Sequence, residues 1–292
     1  MNDLQSILEQ FGVQGVTLEP LGDTQNTNHV VTTITGERYL LRQHQSDNSL
    51  AALESEMIWL NHLHYHGLEV QRPVSLTTGN FIFVTDTRHF SLLTWIDGEV
   101  VETLGELQAE ALGALIAGLH IIAQKFKPPP NFERLRYDRQ YLEQQLNALR
   151  GLEWLQDDLP LFERAMTRAK AGFEDAANIW SLIHADLHPG NVIVQGSKVA
   201  VIDFDRCGFG PIAFDIVTAL GYLEGESRTT FLRGYSAVLP LPENFEEQRG
   251  AFTIAEWLTN LAFLAPRPQD REFVDTVMLP GLRQELPKLL EK

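Results

Sequence analysis

Asp186, Asn191 and Asp203 fall in one short stretch of the chain, Ser181 to Asp205, and their side chains suit a single chemistry. A hard divalent cation such as magnesium takes oxygen ligands and keeps several waters. One carboxylate and one carboxamide, Asp203 and Asn191, therefore suffice when substrate phosphates complete the shell. Asp186 is then left to orient a hydroxyl and to take its proton while a phosphoryl group moves. The flanking residues predict how the three are brought together. Apolar runs at Ser181-Leu182-Ile183 and Val192-Ile193-Val194 enclose a polar turn, and Gly196-Ser197 leads into Lys198-Val199-Ala200-Val201-Ile202. The expectation is a strand-loop-strand hairpin whose loop joins Asp186 to Asn191 and whose second strand delivers Asp203. Strand alternation would place Asp205 on the face of Asp203, as a further oxygen near the cation.

His184-Ala185-Asp186-Leu187-His188-Pro189-Gly190-Asn191 resembles the H-R-D-L-x-x-x-N catalytic loop of protein kinases. Ile202-Asp203-Phe204-Asp205 resembles their D-F-G segment, with Asp in the place of the glycine. The fit is closer to the aminoglycoside phosphotransferase family, the kinase-like group that includes choline and homoserine kinases. Its H-x-D-L-H-x-x-N form and its acidic residue after Asp-Phe both match. The resemblance implies an α+β, two-lobed protein-kinase-like fold, with a small antiparallel sheet and one main helix in residues 1–96 and a larger, mostly helical lobe in residues 97–292. It implies a magnesium-dependent transfer of the γ-phosphoryl group of ATP, with GTP as the other candidate donor, to the hydroxyl of a small molecule. Asp186 becomes the catalytic base, and Asn191 and Asp203 the metal ligands. His184 holds the loop from beneath, and Asp215 pins its backbone. His188 either touches phosphate when protonated or packs.

The same resemblance assigns nucleotide contacts upstream. Arg42 stands where protein kinases place a lysine that touches phosphates, and Glu56 where that lysine's partner stands. Gln25-Asn26-Thr27-Asn28 is similar to the phosphate-covering loop of homoserine kinases, which makes Asn26 and Thr27 nucleotide contacts. Backbone groups from Leu93 to Trp95 would meet adenine. Two departures leave alternatives open. A planar, forked arginine does not reproduce a lysine's point contact, so Arg42 also reads as an exposed strand-end residue. The loop Gly22 to Asn28 holds one glycine and also reads as an ordinary hairpin turn.

The elements that must position these residues follow from periodicity. Helical spacing predicts helices at Asp3–Phe11, Ser49–His66, Leu107–Lys125, Phe132–Leu149 and Leu159–Phe173. After the catalytic stretch it predicts helices at Phe214–Leu223, Arg228–Ala237, Pro242–Leu264 and Asp270–Leu290. Alternation predicts strands at Val16–Leu21, His29–Thr35, Arg38–Arg42, Val74–Leu76, Phe81–Val84 and His89–Ile96. Pro128-Pro129-Pro130 enforces an extended connector. The interval from Asp203 to Asp215 is too short for a polypeptide-docking platform, which points to a small acceptor held by the last helices. Glu256, Trp257 and Asn260 could offer it a cation-friendly surface, but Trp257, at helical spacing with Leu261, reads first as ordinary core. His62, His64 and His66 read as solvated or partly packed.

Bulk properties narrow the partners. A formal charge of −16 disfavours nucleic acid and anionic membranes. No apolar run is expected to reach the roughly 20 residues of a membrane span, and the first residues lack a basic start, so the expectation is a cytoplasmic protein. Cys207 is the single cysteine, which excludes an internal disulfide. Two other readings remain. A nucleotide-binding scaffold without transfer chemistry is prompted by Arg42 and the glycine-poor loop. A metallohydrolase cluster built on His184, Asp186 and His188 leaves Asn191 and Asp203 unexplained.

Overall fold

The computed structural model describes residues 2–23, 26–45, 48–175 and 178–291. Thr24 and Gln25, part of the loop expected over the phosphates, lie outside the described residues. Up to the middle of the chain the elements are α1 (Asn2–Gln10), β1 (Val16–Asp23), β2 (Thr27–Thr33), β3 (Arg38–Gln43), α2 (Leu50–Tyr65), β4 (Ile82–Val84), β5 (His89–Thr94), β6 (Glu99–Val100) and α3 (Glu106–Lys125). There follow β7 (Leu135–Arg136), α4 (Arg139–Arg150), α5 (Leu159–Phe173), β8 (Trp180–Ile183), β9 (Val192–Gln195), β10 (Lys198–Val201) and β11 (Gly208–Pro211). The chain ends in helices α6 (Ile212–Gly221), α7 (Glu226–Val238), α8 (Phe245–Leu264), α9 (Arg271–Phe273) and α10 (Leu279–Leu290).

Two compact units result. The first comprises residues 1–102, 125–134 and 190–205; the second comprises 103–124, 135–189 and 206–292. This differs from a single division after residue 96. The hairpin with Asn191 and Asp203 is part of the first unit, whereas Asp186 is part of the second.

In the first unit an antiparallel sheet runs in the order β1-β2-β3-β5-β4. Ile7, Leu8 and Phe11 pack on Val31, Leu41, Phe90 and Leu92 of that sheet, which is what the helical spacing of the apolar N-terminal residues requires. Val74–Leu76 is not a strand. Pro73 makes only an isolated bridge to Leu93, flanked by Val74 N to Leu92 O (2.8 Å) and Thr94 N to Arg72 O (2.9 Å), and the chain then turns back on itself where Leu76 N donates to Asn80 O (2.7 Å). Helix α2 begins where the Ser49 hydroxyl accepts from Ala52 N (3.0 Å). Its His62 stacks on Trp59 and lies 4.4 Å from His66, ring to ring. A second sheet, β10-β9-β6, completes this unit.

The second unit is mostly helical around the small sheet β7-β11-β8. The helix expected from Phe132 starts only at Arg139. Asp138 caps it by accepting from Gln140 N and Tyr141 N, while Leu135 and Arg136 pair with Gly208 and Phe209. A Cβ at Gly208 would stand 2.5 Å from Leu135 O, so this pairing needs glycine there. The last helix is interrupted by a wide π turn at Val274–Met278, just ahead of Pro280, which has no N–H to continue the ladder.

Contrary to the sequence expectation, α3 is long and apolar enough to cross a membrane, with a mean hydropathy of 1.3. Its glycine face is nevertheless packed within the unit. Cβ atoms at Gly113 and Gly234 would stand 2.1 Å from Phe231 O and 2.0 Å from Glu110 O, so α3 and α7 touch backbone to backbone.

Candidate active site

In the first unit, Arg42 on β3 is buried rather than exposed. Its Nη1 lies 2.6 Å from Asp205 Oδ1 and 3.5 Å from both Glu56 Oε1 and Asp203 Oδ1. One nitrogen thus serves three carboxylates, not the bidentate pair that a forked arginine can make. Burial alone would lower the Arg42 pKa, but Asp205, Asp203 and Glu56 together raise it. Glu56, on α2, is just as buried. Desolvation and the nearby Asp205 push it up to about 8 against the pull of Arg134 and Arg42.

Asp205 does not share a strand face with Asp203, because β10 ends at Val201. Asp203 instead adopts a left-handed backbone, φ 63°, which costs a residue bearing a Cβ on the order of 1 kcal/mol. The Asp205 carboxylate takes Arg42 on one oxygen and the Asn26 Nδ2 on the other. Burial pushes its pKa up, but Arg42, His44, Asn26 and Arg134 outweigh that and hold it low. Asn26 is buried, its Oδ1 accepting from Gln45 N (3.3 Å). Its side chain therefore supports Asp205. Thr27 opens β2 opposite Gln43 and is exposed.

Leu93 faces Leu40 across the β3–β5 ladder. The Trp95 N–H donates to Arg38 O (3.2 Å). Asp203, with its side chain 41% exposed, and the buried Asn191 belong to the same unit and offer, by residue type, a carboxylate and a carboxamide oxygen as a donor set. That set fits a hard divalent cation of the magnesium type.

In the second unit, β8 ends at Ile183 and the next backbone groups are clamped by α6. Asp215 Oδ2 accepts from His184 N (2.8 Å) and Oδ1 from Ala185 N (2.6 Å). This is the pinning expected of Asp215, and it supports Ala185 at φ 64°. His120, on α3, backs Asp215 through Nε2 (3.1 Å) and meets the Tyr235 hydroxyl through Nδ1 (2.8 Å). His184 itself is fully buried. Asp186, one residue past the clamp, keeps its carboxylate partly exposed and lies 3.5 Å from Arg206 Nη1. The His188 Nε2 is 3.8 Å from the same carboxylate, and its ring centroid is 5.9 Å from that of Tyr222.

Arg206 was not legible as a site residue. Burial would lower its pKa, but Tyr137, Asp186 and Tyr141 raise it. The available signal was its position immediately after Asp205 in an acidic chain. Glu256, on α8, is buried and accepts from Asn260 Nδ2 (2.7 Å). Desolvation pushes it up to about 7, with Arg206 and Asn260 opposing and Asp186 adding to the shift. Trp257 is half-buried. It lines, with Glu256, Val217, Leu220 and Arg168, a cavity of about 560 Å³ in this unit, rather than sitting in the core.

A family model described as a phosphotransferase enzyme family matches residues 17–268. The homoserine kinase of Methylobacillus flagellatus is 26% identical over 284 residues, which cover 89% of this chain and 81% of that protein. A microcompartment-associated aminopropanol kinase superposes with a TM-score of 0.79 at 25% identity, over 95% of this chain and 93% of that one. The amicoumacin kinase hAmiN, solved with AMP-PNP, Ca2+ and Ami, gives a TM-score of 0.80 at 20% identity, over 99% and 93%. The fold is thus the α+β, protein-kinase-like fold of these phosphotransferases.

Proposed function

The chain belongs to the phosphotransferase enzyme family, and from that premise we propose that it phosphorylates the hydroxyl of a small amino alcohol, using ATP and magnesium. Asp203 and Asn191 would hold the cation, whose chemistry is to neutralise the phosphate charge that builds during transfer. Arg42 would act mainly by fixing Asp203 and Asp205, since its guanidinium is already engaged with carboxylates. Asp186 would orient the acceptor hydroxyl and take its proton. Arg206 and the Asp215 clamp limit where that carboxylate can go. Confining the base in this way lowers the entropic cost of a reactive geometry.

The observation that carries the acceptor class is Glu256. It is buried yet lines the cavity beside Trp257; burial makes its carboxylate costly to ionise even with Arg206 opposing, and a cationic amine on the acceptor would reduce that cost. The similarity to a homoserine kinase and an aminopropanol kinase points the same way, since both are named for amine-bearing alcohols. The test is a transfer screen over amino alcohols, aminoglycosides and neutral sugars, with ATP or GTP as donor. Amino alcohols turned over with ATP and magnesium is the expected result. A neutral sugar as the best acceptor would remove the amine assignment, and no metal-dependent transfer to any hydroxyl would remove the proposal altogether.

A further inference from the structure

We infer that Arg134 is a positioning residue for the cation site: its guanidinium ties helix α2 to the backbone leaving Asp203 and so keeps Asp203 in its left-handed conformation. This rests on the reading of Asp203 as a metal ligand.

Arg134 ends the connector that follows the three prolines, and its side chain is 4% exposed. Its Nη2 donates to Phe204 O (2.9 Å) and Asp205 O (2.6 Å), the two carbonyls just past Asp203. Its Nη1 donates to Ala52 O (3.2 Å) and lies 3.6 Å from Glu56 Oε2. Glu56 therefore stands between two guanidiniums, with Arg42 on Oε1 and Arg134 on Oε2. The connector is latched to the same helix next door, where Glu133 N donates to Ser55 Oγ (2.8 Å) and the Ser49 hydroxyl donates to Glu133 Oε2 (3.2 Å).

A left-handed non-glycine residue persists only where its surroundings over-determine it. Around Asp203 they do. Arg42 and Asn26 hold the Asp205 side chain, and Arg134 holds the consecutive carbonyls of Phe204 and Asp205. The segment cannot swing away to relax Asp203 without leaving a buried guanidinium short of acceptors, which is costly. Only a planar fork reaches the helix and both carbonyls at once.

The test is calorimetric titration of AMP-PNP into wild-type and Arg134→Met protein, once with magnesium and once with EDTA. The expected result is a loss of roughly tenfold or more in affinity with magnesium, no change in EDTA, and an unchanged acceptor KM. Arg134→Lys and Arg134→Gln, which keep a donor but lose the fork, should fall between, and they serve if Arg134→Met does not fold. Equal loss in both conditions would mean that Arg134 merely supports the fold. A variant that behaves like a magnesium-dependent wild type overturns this inference alone. A wild type whose affinity is the same with magnesium and EDTA overturns the metal reading of Asp203 and this inference with it.

Discussion

Asp186 and Glu256 are carboxylates of the same unit to which the proposed reaction gives different work. The proposed base is confined from two sides: the Asp215 clamp fixes the backbone just ahead of it, and Arg206 lies 3.5 Å from its carboxylate. Replacing Asp186 with Asn keeps the shape and removes the proton acceptor. The Asp186→Asn protein should fold and bind nucleotide, while its transfer rate falls by roughly a hundredfold or more in a coupled assay. Glu256 is pushed up to about 7, so its charge appears as the pH rises through that value. An amine acceptor should therefore bind better on the alkaline side, with KM falling as Glu256 ionises. In Glu256→Gln the pH dependence should vanish and KM should rise, by about 1.5–3 kcal/mol if a charged hydrogen bond is lost. Steady-state kinetics across that pH range decide it, and a KM unchanged by the substitution would exclude Glu256 as the anchor.

Elements of the second unit are locked by close backbone approach as much as by side chains. At the α3–α7 crossing a Cβ on Gly234 would meet Glu110 O at 2.0 Å. Glycine to alanine inside a helix ordinarily gains up to about 1 kcal/mol. At Gly234 the sign should reverse, with a loss of about 1–3 kcal/mol because α3 must move aside. Gly281 on α10 has nothing within 4 Å of the same Cβ position, so Gly281→Ala should be neutral or stabilising. Urea unfolding of the two variants measures the contrast, and equal effects would mean that the crossing is looser than its geometry. The crossing also bears on the site, because α3 carries His120, which backs the Asp215 clamp.

For the whole molecule, buried carboxylates set how stability responds to pH. Glu56 is pushed up from 4.5 to about 8 by desolvation and Asp205, so the folded chain holds a proton that the unfolded chain has released. Between those values stability falls as pH rises. Glu256 adds the same sign up to about 7. His44, held down at about 3 by burial and Arg42, has the opposite effect below 6.5, where rising pH stabilises the fold. The ligand-free protein should therefore lose stability from about pH 6.5 to 8, by an amount on the order of 1 kcal/mol, and lose less in Glu56→Gln. Urea unfolding at a series of pH values would expose a flat or rising profile, which would contradict the burial of Glu56. By itself the sequence determined the chemistry on offer and the order in which it is strung. Asp186, Asn191, Asp203 and Asp215 are distinguished by residue type and local spacing, and the helices and strands around them are written in short-range periodicity. The tertiary structure decided which charges meet. Arg134 reaches Glu56 and the carbonyls past Asp203, and Arg206 reaches Asp186, through chain paths that no local pattern encodes. The left-handed turn at Asp203 likewise depends on distant residues that hold it, which is why strand alternation misplaced Asp205.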